Sequence, residues 1–447
     1  MSTILFFVHP MAGSVNAGLK TARELQSIGH QVYFLGLIQC EKFVKPNGFN
    51  FIPLFEKWFP KDVGEANEKT PLGFWQQINR GKQYIGHIKA FIDALIAGDD
   101  KEFFKVIDEL KPDLIVVVAT HYDSFIWALL AYKAGIKTIY LHDTLCRSKS
   151  TQIPPITTGI IPVDSMGSRF RVVLAWQMFL LFRFIKELFY SLILGSQLGS
   201  SYGVNKLCKH YQYPLQLIET STDMLAPKLK LTEIVLCPKE FDFPGAEQVG
   251  RHYAGVSIDL NREQAVFSWE RIDAYKPLIY CALGSLECLT KQDRIAFFNI
   301  VIETAKQHQE WSWIIAIGNQ LDVEQFNGIP SNIVLVNSAP QLNILKKAEV
   351  MITHGGTNTI KECIWFGVPM VVFPLEFDHY GNAARVVHQG LGLKGDIKKI
   401  NASILYFMIE QIFKNPYYRV QVKLMKNKFE EVDKSGSASS IINSICL

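Results

Sequence analysis

A short apolar run, a turn, an amphipathic helix and another apolar run recur along this chain, break off, and then start again. Ile4-Leu5-Phe6-Phe7-Val8 is continuously apolar, as in a strand buried on both faces. After the turn His9 to Val15, Leu19, Ala22, Leu25 and Ile28 recur at helical spacing, Gly29 ends that helix, and Val32 to Leu35 forms the next strand. Residues 114–119 predict a third strand, 125–133 a helix and 136–141 a fourth strand. Alternation stops near Pro238, where Pro244, Gly245, Gly250 and Gly255 interrupt it. It resumes with strands at 278–283, 313–317, 333–336, 349–353 and 368–373. A chain of 447 residues exceeds one ordinary core. The pattern predicts an α/β fold with two Rossmann-like domains, their parallel sheets facing across a cleft. The expected division is 1–240, a linker over 241–275, and 276–447, with the last helix packing back on the first domain. Residues 145–230 lack clean alternation and are expected to carry substrate-specific elements.

Chemistry concentrates in MITHGGTNTIKECIWFGVPMVVFPLEFDHYGN, residues 351–382. A strand end runs into His354-Gly355-Gly356, and Thr357-Asn358-Thr359 opens a helix. A Gly-Gly turn lets backbone approach a ligand closely, and a helix N-terminus offers unpaired N–H groups and a partial positive charge. That combination holds phosphate. Ser285, directly after the strand at 278–283, offers a second set of donors, although Gly-Ser after a strand is also an ordinary turn. Ser338 with Gln341 reads either as a capping box or as a base contact, and Thr359 with Glu362 either as a capping box or as a ribose carboxylate. Asp378 and His379 offer polar groups to sugar hydroxyls, with Asp378 as a helix cap the alternative. A nucleotide-sugar site follows.

These residues resemble the donor signature of the family 1 UDP-dependent glycosyltransferases, which share the two-domain glycosyltransferase-B fold. The match runs through Ala339-Pro340-Gln341, HGG-T-N-T with Glu eight after the His, Gly-Val-Pro, Pro374 with Asp378, and Asn382. The opening HPMAGSVNAGLKTARELQSIGHQVYF resembles the same family. The resemblance implies that Gln341 contacts the base and Glu362 the ribose. Ser285, His354 and the Gly355–Thr359 turn would contact the phosphates, and Asp378 and His379 the sugar. It implies a single inverting displacement by an acceptor hydroxyl, with UDP as the leaving group.

Three positions depart from that pattern. Asn337-Ser338 replaces the Trp often found before Ala-Pro-Gln, and Asp378-His379 replaces Asp-Gln. In the opening loop Gly13 is followed by Ser14, where the family carries its general-base His. A neutral hydroxyl is a poor base near neutral pH. The replacement candidates are His9, His121 with Asp123, and His142 with Asp143, and His9 ranks first. His121 falls where the resemblance places the Asp that orients the base.

The net charge of +4 and the absence of a long basic run give no support for a nucleic-acid partner. Eight scattered cysteines without a C-x-x-C pair suit reduced thiols and a cytoplasmic protein. No cofactor and no metal ligand set is expected, the UDP-sugar being a substrate. Thirty Phe and the apolar segment 170–194 point to a hydrophobic acceptor. That segment, interrupted by Arg183, Lys186 and Glu187, is too short to span a bilayer. It is expected to lie on a lipid surface, line the acceptor pocket, or pack as a buried helix pair. The alternatives to transfer are a non-catalytic nucleotide-sugar binder and a nucleotide-sugar epimerase.

Overall fold

The computed structural model describes residues 1–61, 74–119, 122–193, 200–224, 227–262, 264–284 and 288–446. Apolar runs become strands where predicted at β1 (Thr3–Val8), β2 (Gln31–Gly36), β4 (Leu114–Val118) and β5 (Thr138–His142), and β3 (Asn50–Pro53) adds an edge strand that the sequence pattern did not mark. A two-residue antiparallel ladder, β6 (Ile218–Glu219) with β7 (Lys228–Leu229), precedes β8 (Thr232–Val235) and β9 (Arg251–Tyr253). The first sheet has the order β3-β2-β1-β4-β5-β8-β9, with every pairing parallel. Strand β9 therefore extends this sheet into the stretch read from sequence as linker. The second sheet contains β10 (Leu278–Ala282), β11 (Ser312–Ala316), β12 (Ile333–Val336), β13 (Ala348–Thr353), β14 (Met370–Val372) and β15 (Gly392–Lys394). Its order is β12-β11-β10-β13-β14-β15, again all parallel.

Among the described residues the first lobe has the α-helices α1 (Ala12–Ser27), α2 (Glu41–Val44), α3 (Phe74–Ala94), α4 (Lys101–Leu110), α5 (Tyr122–Lys133), α6 (Met166–Ile193) and α7 (Ser200–His210). The rest follow β10: α8 (Lys291–Gln307), α9 (Gln341–Leu345), α10 (Thr357–Phe366), α11 (His379–His388), α12 (Ala402–Lys414), α13 (Pro416–Ser435) and α14 (Ala438–Cys446). Helix α14 lies on α1, where Ile442 joins the apolar cluster of Val15 and Leu19, and Asn443 Oδ1 meets His30 Nε2 at 2.9 Å. In each sheet the order reverses once, between β1 and β4 and between β10 and β13. Ligands of open parallel sheets bind at such reversals, beyond the strand ends.

The lobes are joined by polar contacts as well as by a continuous apolar cluster. Asp242, 3% exposed, accepts from Arg385 Nε at 2.9 Å and Tyr253 Oη at 2.8 Å, and pairs with Arg147. Burial pushes its carboxyl pKa up, but the guanidiniums of Arg385 and Arg147 overcome that and hold it well below the usual carboxylate range. Gly381 N–H donates to Ile156 O at 2.8 Å. Removing one member of a buried ion cluster strands the others. Asp242→Ala is therefore expected to cost about 3–5 kcal/mol in urea unfolding at pH 7. Because the folded pKa is depressed, this contribution should be present above the ordinary carboxylate range and fade as pH falls below it. A cost under about 1 kcal/mol would contradict the account.

Candidate active site

A cavity of about 390 Å³ lies between the lobes at both reversals. The first lobe supplies its opening loop (Met11 to Ser14), Asp143, Thr144, Cys146, Ile156 and Asp223. The second supplies Gly284, Gln341, His354, the α10 N-terminus and Asp378. Residues from the irregular 145–230 region thus wall the cleft.

The His-Gly-Gly turn is shaped by steric need. Gly355 has φ +93°, and a Cβ there would stand 2.8 Å from Val372 Cγ1. Gly284, at φ +71°, leaves room for the His354 ring, since a Cβ would fall 2.4 Å from His354 Cε1. His354 is 6% exposed and packs edge-on against His379, with ring centroids 4.5 Å apart. Burial above all, then the His379 and Arg294 charges, pushes its pKa well below the usual value, so the imidazole is neutral. Its Nδ1 is buried and has no hydrogen-bond partner among the described residues.

Helix α10 begins at Thr357, with Gly356 as its N-cap and no side chain capping the first turn. Thr359 and Glu362 therefore form no capping box. Thr357 Oγ1 donates to Asp378 Oδ2 at 2.8 Å, and Asn382 Nδ2 donates to the same oxygen at 2.8 Å and to Gly355 O at 2.9 Å. Asp378 occupies the N-cap of α11 but makes no cap bond, so its carboxylate braces the turn instead. His379 is 1% exposed and its Nδ1 accepts from Glu376 N–H at 3.2 Å. Asn358 Nδ2 donates to Gly13 O at 3.0 Å, tying the two lobes' loops together.

Glu362 is 2% exposed, with Oε1 accepting from Arg262 Nη1 and Oε2 from Gln341 Nε2, each at 2.6 Å. Gln341 thus turns toward Glu362, and no capping box forms with Ser338: the α9 N-cap is Pro340. Gln264 Oε1 accepts from Leu342 N–H at 3.1 Å instead. Arg262 and Gln264 come from the interlobe stretch, and no local motif marks either.

In the first lobe Ser14 Oγ accepts from His9 N–H at 3.2 Å and so shapes the opening loop. His9 Nδ1 lies 2.8 Å from Asp123 Oδ2, a pairing across 114 residues, although neither side chain lines the cavity. Ser285 and His121 lie outside the described residues. His142 is fully buried 3.2 Å from Glu233, and burial pushes its pKa down. Asp143 does line the cavity. It is 9% exposed, its Oδ1 has no hydrogen-bond partner among the described residues, and burial raises its pKa to about 6, with Asp378 adding to the rise and Lys361 and His9 opposing it.

Comparison with known proteins agrees with the two-lobed fold. Residues 307–433 match the erythromycin biosynthesis protein CIII-like C-terminal domain family. Demethyllactenocin mycarosyltransferase of Streptomyces fradiae is 22% identical over 460 residues, covering 100% of this chain and 87% of that protein. An uncharacterized UDP-glucosyltransferase of Bacillus subtilis is 28% identical over 244 residues, covering 52% and 59% respectively. The chain is thus similar to glycosyltransferases, with the family match confined to residues 307–433. Among the first curated relatives the match spans about half of their own length, from 42% to 59%. The crystal structure of the kitacinnamycin glycosyltransferase superposes with a TM-score of 0.65 at 19% identity over 99% of this chain and 98% of that one. A spinosyn rhamnosyltransferase complexed with thymidine diphosphate superposes with 0.64 at 12% identity over the full length of both. These structures carry the glycosyltransferase-B fold.

Because any side chain at 284 collides with His354 and takes a strained φ, Gly284→Ala is expected to destabilise the protein by roughly 1–3 kcal/mol. Chemical denaturation checks it, and an unchanged midpoint would show that the histidine is not wedged there.

Proposed function

We propose that the protein transfers a hexose from a UDP-sugar, UDP-glucose as first choice, to a hydroxyl of a hydrophobic small-molecule or lipid-like acceptor, inverting the anomeric carbon. The observation that carries this reading is the uncapped N-terminus of α10 beside the neutral His354 at the cavity wall. Backbone N–H groups and the helix dipole there suit a diphosphate, and an imidazole N–H adds a neutral donor. Glu362, held between Arg262 and Gln341, retains acceptor capacity for ribose hydroxyls. A 2′-hydroxyl on that carboxylate favours UDP over a deoxyribose donor.

The acceptor oxygen attacks the anomeric carbon as the carbon–oxygen bond to the diphosphate breaks and its electron pair leaves on the nucleotide. Asp143 takes the hydroxyl proton. Its support is threefold: it lines the cavity, it has a buried oxygen lacking a donor among the described residues, and its raised pKa suits a base near neutral pH. The His9–Asp123 pair is the second candidate, favoured by the carboxylate that orients the imidazole at 2.8 Å. Ser14, engaged by His9 N–H, is not assigned proton transfer. A non-catalytic nucleotide-sugar binder is the alternative, motivated by that serine at the usual base position.

Incubation with UDP-glucose and a panel of hydroxylated hydrophobic acceptors, read by mass spectrometry, should yield a glycoside. Nucleotide-sugar binding without product from any acceptor would favour the non-catalytic reading. Asp143 acts deprotonated, so the rate should rise with pH through about 6. Asp143→Asn should remove that limb and lower kcat by roughly 10²–10⁴-fold, while His9→Gln keeps the limb. The reverse pattern would assign the proton to the His9–Asp123 pair.

A further inference from the structure

Helix α6 is not the buried helix pair that the sequence allowed, nor does it line the cavity. It is one continuous 28-residue helix, Met166–Ile193, about 42 Å long at 1.5 Å per residue. Among the described residues, eleven of its large apolar side chains are exposed, including Phe170 at 68%, Phe182 at 61%, Phe184 at 63% and Leu192 at 74%. At 100° per residue these positions fall within one arc of about 160°. The opposite face is docked. Val172 and Trp176 are fully buried, Trp176 Nε1 donates to Ile153 O at 2.8 Å, and Arg183 Nη1 donates to Thr222 O at 2.9 Å. The exposed arc presents on the order of 1,000 Å² of apolar surface, above the few hundred typical of a soluble monomer.

Charge selects the occupant. The helix carries four basic residues, Arg169, Arg171, Arg183 and Lys186, and a single acid, Glu187. Glu187 lies at the helical phase of the docked face, whereas Arg171 and Lys186 are exposed at the edge of the apolar arc. An apolar arc edged by basic side chains suits an anionic bilayer, into which such a face sinks by about 5–10 Å. A second copy would bring like charges together along the seam. Among the described residues no helix is long and apolar enough to cross a membrane.

We propose that α6 lies in the plane of an anionic lipid surface, its apolar face inserted at the headgroup boundary. The docked face rests on segments 153–157 and 220–223, and both reach the cavity wall through Ile156, Thr157 and Asp223. A bilayer under α6 thus adjoins the acceptor side of the cleft. On the transfer reading above, that arrangement draws the hydroxylated acceptor from the membrane, but lipid binding itself does not depend on that reading.

The test uses the full-length protein and vesicles without donor. It should co-sediment with vesicles of phosphatidylcholine and phosphatidylglycerol, bind pure phosphatidylcholine at least tenfold less, and lose affinity as salt rises. The triple variant Phe170→Ser, Phe184→Ser, Leu188→Ser should bind anionic vesicles at least tenfold more weakly, with an unchanged melting temperature. Wild type remaining in the supernatant with anionic vesicles would overturn the proposal. So would a wild-type dimer in light scattering that the triple variant converts to monomer, because a second copy would then cover the face.

Discussion

Helix α10 is the part on which the remaining geometry depends, because its first two turns turn polar side chains into both lobes. Thr357 and Asn382 converge on Asp378, Asn358 reaches Gly13 O, Lys361 Nζ donates to Leu236 O at 3.0 Å, and Glu362 is pinned by Arg262 and Gln341. A buried lysine and a buried glutamate one residue apart are costly unless each is partnered. Here each partner comes from another part of the chain. The same contacts leave the helix N-terminus uncapped and directed at the cavity, where an anion can complete it.

The interlobe contacts explain how two Rossmann-like sheets become one site. Neither lobe holds a complete constellation. The second offers amides, a neutral imidazole and a carboxylate, while the first offers Asp143 and the segments around Ile156 and Asp223. Asp242 between Arg147 and Arg385 fixes the lobes near their junction. Gly381 lets α11 approach the Ile156 loop, since a Cβ there would fall 2.3 Å from Ile156 O.

Much of this was legible in the sequence because its causes are local. Short continuous apolar runs bounded by turn residues, such as Ile4 to Val8, suit strands buried on both faces, and His-Gly-Gly before a helix is a local steric and electrostatic statement. What stayed hidden is long-range. The His9–Asp123 pair spans 114 residues, and Arg262 reaches Glu362 across 100. Asp143 stood in the sequence as one of several candidates, and its place on the cavity wall separates it from His142. Short strands with little periodicity, such as β9, gain their identity from the edge they pair with. The capping-box spacings at 338–341 and 359–362 were genuine patterns overridden by tertiary partners, Gln264 in one case and Arg262 with Gln341 in the other.

On the proposed function, the uncapped helix end and the neutral His354 form a diphosphate site. Calorimetric titration of UDP into the wild-type protein and into His354→Ala tests it most directly. The account predicts saturable one-to-one binding by the wild type, weakened at least tenfold, about 1.4 kcal/mol, in the variant. Absence of heat with the wild type, or equal affinity for both proteins, would contradict it.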